Sequence, residues 1–137
     1  MAACLADSSV LLDVLTADPT WAEWSVKRLE KALGEGPVFI DPIVYAEISI
    51  GFSRIEDLEA AIADSGLTWS ELPREALFLA GKAFVKYRKS GGSKSAPLPD
   101  FLIGAHAAVS DLVLITRDPQ RIRKHYPTVR LSCPPQR

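Results

Sequence analysis

Asp7, Glu47, Asp100 and Asp118 are spread along most of a 137-residue chain, yet each stands where an extended apolar run gives way to a turn, or in the first turns of a helix. Carboxylates gathered at one place without a counter-ion oppose one another's ionisation. A divalent cation removes that cost. An all-oxygen set with few protein ligands suits Mg²⁺ or Mn²⁺, which keep part of their water and bind phosphates beside one or two carboxylates. The chemistry within reach is therefore phosphoryl transfer to water, with the cation activating the water and neutralising charge on the phosphodiester.

Each acid also has a purely local explanation. Asp7 is a preferred helix cap type, although Ser8 and Ser9 could cap as well. Asp100 follows Pro99, which starts a helix, and an acid in the first turn complements the macrodipole. Asp118 precedes Pro119 and can cap the turn "PQRIRK". What favours a shared site is where the elements deliver these residues.

The run "ACLAD" reads as a strand ending at Asp7, and "SSVLLDVL" as a helix with Val10, Leu11, Val14 and Leu15 at helical spacing. "PTWAEWSVKRLEKAL" is an amphipathic helix stopped by "GEGP"; "VFI" is a second strand ending at Asp41-Pro42; "IVYAEISIGF" and "RIEDLEAAIADSG" are helices. "LTWSEL" alternates like a strand, "PREALFLAGKAFVKYRKSGG" is a long helix, and the helix opened by Asp100 leads to the strand "LVLIT". A short helical turn and a last strand, "VRLSC", complete the chain. Short strands, apolar on both faces and alternating with helices, define an α/β fold with a central parallel sheet flanked by helices on both faces. Ligands then belong at the carboxyl ends of the strands. Asp7 and Asp118 project from that edge, the Asp100 helix begins over it, and Glu47 can reach it.

Asp41, before Pro42, reads as a helix cap and stays outside the set. Asp13, about two turns into a helix, stands at its margin. His106 reads as a packed or partner-facing histidine, since a metal needs no separate base. Gly104, Ala105, Ala107 and Ala108 make their helix narrow, allowing close approach to the sheet.

One domain over residues 1–137 is the expectation from length, with 47% hydrophobic and 24% charged residues. No run reaches the ~18 apolar residues of a membrane span, and "MAACLADSSV" has no basic region ahead of an apolar stretch. With Cys4 and Cys133 in no metal-ligand spacing, the expectation is reduced thiols in a cytoplasmic protein. The net charge of -1 conceals a division: residues 1–81 carry 5 basic and 14 acidic side chains, and residues 82–137 carry 11 and 3. Such a division is a weak pointer to an anionic partner.

"CLADSSVLLDVL", "PIVYAEI" and "LPDFLIGAHAAVSDLVLITRD", in this order, resemble the PIN domain, and most closely the VapC-type toxins of bacterial toxin–antitoxin modules. The resemblance implies a ribonuclease whose Mg²⁺ or Mn²⁺ is held by Asp7, Glu47, Asp100 and Asp118, supported by the hydroxyls of Ser8 and Thr116. RNA would be guided by nearby cations, among them Arg88, Lys94, Arg117 and Arg121. It also implies a homodimer silenced by an antitoxin whose tail crosses the acidic site, in a groove to which Trp21, Trp24 and Phe52 contribute. The resemblance further implies that the fourth strand lies between the first and the last, setting Cys4 and Cys133 two strand spacings, roughly 9.5 Å, apart. Two other readings start from the same acids: a receiver-like Mg-binding phosphoacceptor, which expects an aspartate ending a central strand and a later lysine in matched positions and leaves Glu47 on a helix unexplained, and a catalytically silent interaction module.

Overall fold

In the computed structural model, which describes residues 3–91 and 98–135, twelve elements follow one another. They are β1 (Cys4–Ala6), α1 (Ser8–Leu15), α2 (Ala22–Glu35), β2 (Val38–Ile40), α3 (Pro42–Ser49), α4 (Ile55–Ser65), β3 (Thr68–Trp69), α5 (Arg74–Lys89), α6 (Leu98–Val109), β4 (Val113–Ile115), α7 (Pro119–His125) and β5 (Leu131–Ser132). The five strands form one sheet in the order β3-β2-β1-β4-β5, and every pairing is parallel. The expected architecture is the one found. Its strands are shorter than their apolar runs, most of all at the edges, where β3 and β5 pair on one side only.

Leu5, Val38, Ile40, Leu114 and Ile115 are fully buried in the sheet, and Val10, Val44, Ile48, Ile103 and Ala76 cover it from the helices. Parallel strands buried on both faces require such uniformly apolar sequences. From β1 the chain winds outward through β2 to β3, then returns to place β4 on the other side of β1. The crevice beyond the carboxyl ends of β1 and β4 is thus the switch point where an open α/β sheet binds ligands.

Three local readings change. α2 begins at Ala22 rather than at Pro19, because Asp18 Oδ1 accepts from the backbone N–H groups of Thr20 and Trp21, both at 2.9 Å, and closes a turn before the helix. Asp118 makes no side-chain cap to α7. The close approach at Gly104 is to α7, not to the sheet: a Cβ there would stand 2.6 Å from Tyr126 Cε2 and 3.4 Å from Ile122 Cδ1. Tyr126 is held in place by its hydroxyl, which donates to the Phe101 carbonyl at 2.8 Å. Gly104→Ala is therefore expected to lower stability by about 1–3 kcal/mol through overpacking, readable as a fall in denaturant midpoint.

Cys4 and Cys133 are not bridged to each other, and β4 lies between β1 and β5. The register widens the gap: Ser132 is level with Ile115 and Ile115 with Ala6, so Cys133 lies about three residues, ~10 Å, further along than Cys4. No linked Cys4–Cys133 peptide is expected in non-reducing mass spectrometry, since a bridge needs Cα atoms within ~7 Å.

Candidate active site

The residue after β1 is Asp7, at the N-cap position of α1 with extended backbone (φ -74°, ψ 153°). A capping aspartate would accept backbone N–H groups of its own helix, as Asp41 does for α3. The Asp7 carboxylate makes no capping bond. It accepts instead from two hydroxyls, Thr116 Oγ1 at 2.7 Å and Ser9 Oγ at 2.9 Å, and so faces the crevice beside β4.

Ser8 connects Asp7 to a second acid. Its hydroxyl donates to Glu47 Oε1 at 2.8 Å and lies 3.5 Å from Asp7 Oδ1, which brings the helix glutamate of α3 to the carboxyl end of β1. Asp100, in the first turn of α6 and half-buried, supplies a third charge felt at both. Burial pushes the Asp7 carboxyl above the usual carboxylate range; the Thr116 and Ser9 hydroxyls pull it back, and the charge of Asp100 adds to the rise. Glu47 is also raised, first by burial and then, against the Ser8 hydrogen bond, by Asp7, Asp100 and Asp41.

Asp118 stands at the lip. Its backbone N–H donates to Thr116 Oγ1 at 3.1 Å, so one hydroxyl touches both Asp118 and Asp7, but its side chain is exposed and lines a neighbouring hollow with Trp21 and Arg117. Asp13 is buried at the margin. Its Oδ2 accepts from Ser25 Oγ and from Arg117 Nε, each at 3.0 Å, so Arg117 is partly committed to the scaffold. Arg88, in the last turn of α5, lies over the Phe84 ring. Lys94 and the Arg121 side chain lie outside the described residues.

Among the described residues, no three His, Cys, Asp or Glu side chains are drawn close enough to enclose an ion. The donor set itself fits a hard divalent cation. It is all oxygen, its members come from three separate elements, and the raised Asp7 and Glu47 carboxyls carry the strain of burial and mutual repulsion that a cation relieves.

Sequence reasoning missed two features. Ser9 is a direct partner of Asp7, not just a rival cap. His106, as expected, is packed, and the structure supplies its partners: its Nδ1 lies 2.9 Å from Asp41 Oδ2, and its Nε2 lies 3.3 Å from Ser70 Oγ. A lone histidine in an apolar helix and an acid ending a strand were the available signals.

Residues 4–126 match the family model for the PIN domain. The chain belongs to the PIN domain family, whose members are in general nucleases and usually use a divalent metal. Solved structures show the same fold. The VapBC2 complex from Rickettsia felis, bound to a promoter DNA fragment, matches with a TM-score of 0.74 at 18% identity, over 96% of this chain and 98% of that one. VapBC-1 from nontypeable Haemophilus influenzae matches with 0.71 at 16%, over 96% and 97%, and FitAcB from Neisseria gonorrhoeae with 0.68 at 20%, over 93% and 95%. No curated protein matches the sequence.

Proposed function

We propose that this chain is a VapC-type toxin, a ribonuclease that hydrolyses RNA phosphodiester bonds at a Mg²⁺ or Mn²⁺ site built by Asp7, Glu47 and Asp100, with Asp118 at its lip. The observation that carries the reading is that Asp7 and Glu47, from β1–α1 and α3, meet at the switch point, held by Ser8, Ser9 and Thr116, with Asp7 not spent on a helix cap and the charge of Asp100 on α6 felt at both.

The cation, when bound, supplies activated water and charge neutralisation at the phosphate. The chain's own residues do the rest. The Thr116 and Ser9 hydroxyls fix the Asp7 carboxylate, and Ser8 fixes Glu47 against it. The three carboxylates form an acidic floor that repels a bare phosphate, so the ion strengthens the hold on the phosphate that is cut. The receiver-like reading loses its basis: the residues that follow the five strands are Asp7, Asp41, Ser70, Thr116 and Cys133, and none is lysine. Incubation of RNA with Mg²⁺ or Mn²⁺, against an EDTA control, is expected to show ion-dependent cleavage; cleavage unaffected by EDTA overturns the metal assignment.

The partner is a cognate antitoxin, consistent with the complexes in which the matching folds were solved. Its groove differs from the expected one. Trp24 and Phe52 pack against the core, while an apolar groove of about 170 Å³ runs between α1, α2 and α4, lined by Leu11, Val14, Val26, Leu33, Leu58 and Ile62. An amphipathic segment seated there and reaching the acids with a basic side chain competes with the ion for the same carboxylates. Mn²⁺ affinity is therefore expected to fall in the complex, measured by titration of free and bound protein; equal affinities would mean that inhibition acts elsewhere. Exposed Leu77, Phe78 and Val85 on α5 favour a homodimer, checked by light scattering. No helix among the described residues is long and apolar enough to cross a membrane.

A further inference from the structure

Beside the acids, at the same edge of the sheet, lies an open hollow of about 450 Å³ lined by Trp21, Arg117, Asp118, Gln120, Pro134 and Pro135. We propose that this hollow is a subsite for one unstacked nucleobase of a single-stranded RNA, adjoining the phosphate that is cut. The proposal rests on the ribonuclease reading and adds to it the place where one base of the substrate is held.

Three observations carry it. The lining is divided as a base is divided: Trp21 and the two prolines offer flat apolar surface, while Arg117, Asp118 and Gln120 offer donors and acceptors for a polar edge. The arrangement is built in advance. Arg117 Nε is anchored on buried Asp13, itself held by Ser25, and the guanidinium carbon lies 5.7 Å from the centre of the Trp21 ring. A guanidinium carries five N–H donors, and the bond to Asp13 uses one. Ordering the aromatic platform and its cation before the ligand arrives lowers the entropic cost of binding.

The third observation is position. Thr116 Oγ1 accepts from the Asp118 N–H at 3.1 Å and donates to Asp7 Oδ2 at 2.7 Å, so a single hydroxyl separates the hollow from the acid cluster. A nucleotide whose phosphate meets the acids has its base, or that of its neighbour, at the hollow. Bases inside a duplex have both faces covered by stacking and their polar edges paired, and none can enter without leaving the helix. Loops and unpaired segments are the RNA this site takes.

The test separates binding from cleavage. In Asp100→Asn protein carrying Trp24→Phe and Trp69→Phe, with EDTA present, Trp21 is the only tryptophan. An unstructured ten-nucleotide RNA is expected to quench its fluorescence, and the same sequence in a duplex to bind at least tenfold more weakly. Because stacking of one base contributes ~1–3 kcal/mol, Trp21→Ala should weaken single-strand binding, read by anisotropy of a labelled strand, by roughly tenfold or more, whereas Trp21→Phe retains most of it. In otherwise wild-type protein with Mn²⁺, Trp21→Ala should raise KM and leave kcat nearly unchanged, the signature of uniform binding. Equal affinity of Trp21→Ala and its parent, equal binding of duplex and single strand, or a loss confined to kcat overturns the subsite. If single strands bind through Trp21 but the wild type cuts no RNA with either ion, the subsite stands and the ribonuclease reading falls. If cleavage proceeds with an unaltered KM in Trp21→Ala, the reverse holds.

Discussion

Asp7→Asn and Asp100→Asn are each expected to lower the proposed RNA cleavage by roughly 10²- to 10³-fold or more, the scale on which single groups that stabilise a transition state act. In Asp7→Asn this loss is expected in a protein no less stable than wild type at neutral pH. The amide matches the carboxylate in shape but cannot neutralise a cation. The stability expectation follows from the direction of the pKa shift. Burial, opposed by the Thr116 and Ser9 hydrogen bonds and reinforced by Asp100, raises the folded-state pKa of Asp7 above its unfolded value. A carboxyl raised in this way binds its proton more tightly when folded. Without divalent ions, its contribution is therefore most favourable below the unfolded pKa, and it falls as pH rises through the folded pKa. Glu47 acts in the same direction. The melting temperature of the ion-free protein should thus decline across the upper carboxylate range, and the decline should be shallower in Asp7→Asn. Mg²⁺ or Mn²⁺ at pH 7 should raise the melting temperature of wild type by mass action and have less effect on the variant. Wild-type cleavage rates in folded Asp7→Asn remove that residue from the site. Equal ion-induced shifts in both proteins remove it from the ligand set.

How far the site was legible in the chain depends on the range of the interactions. β2 was visible as "VFI" because an apolar run between a glycine-proline stop and an aspartate-proline start is bounded by local chemistry. The short edge strands were visible too, within "LTWSEL" and "VRLSC", but their length was not, since it is set by a neighbour present on one side only. Asp7 and Asp41 look alike in sequence, each an acid between strand and helix. Only the folded chain separates them: Asp41 accepts from Ile43 and Val44 N–H groups, while Asp7 turns to Thr116, 109 residues away. Asp118 was legible as an acid after a strand but not as the lip of a hollow, because Trp21 and the proline-rich tail meet it only in three dimensions. Gly104 was legible as small, but the ring that requires it is that of Tyr126, the residue that closes α7 later in the chain.

Asp41→Ala should be the most destabilising of the polar substitutions, at about 3–5 kcal/mol, the cost of leaving a buried charged or hydrogen-bonded partner alone. Asp41 is fully buried. One carboxylate oxygen accepts two N–H groups at the start of α3, each at 2.9 Å, and the other faces His106 Nδ1 on α6 at 2.9 Å. The far side of the imidazole meets Ser70, just after β3. This chain joins the ends of β2 and β3 to the helices that carry Glu47 and Asp100, so its loss loosens the frame of the site as well as the fold. Alanine removes the α3 cap and leaves the His106 ring nitrogen without its acceptor. Asparagine is expected to cost much less. Its carbonyl oxygen still caps α3, and the imidazole can exchange tautomers, accepting at Nδ1 from the new amide and donating at Nε2 to the Ser70 hydroxyl. Chemical denaturation of both variants decides the matter. An Asp41→Ala protein within about 1 kcal/mol of wild type would show that neighbouring groups or water replace the carboxylate, since a lost buried hydrogen bond alone costs about that much. Equal losses in Asp41→Asn and Asp41→Ala would assign the stability to the charge of Asp41 acting on a protonated His106, and not to the hydrogen-bond pattern.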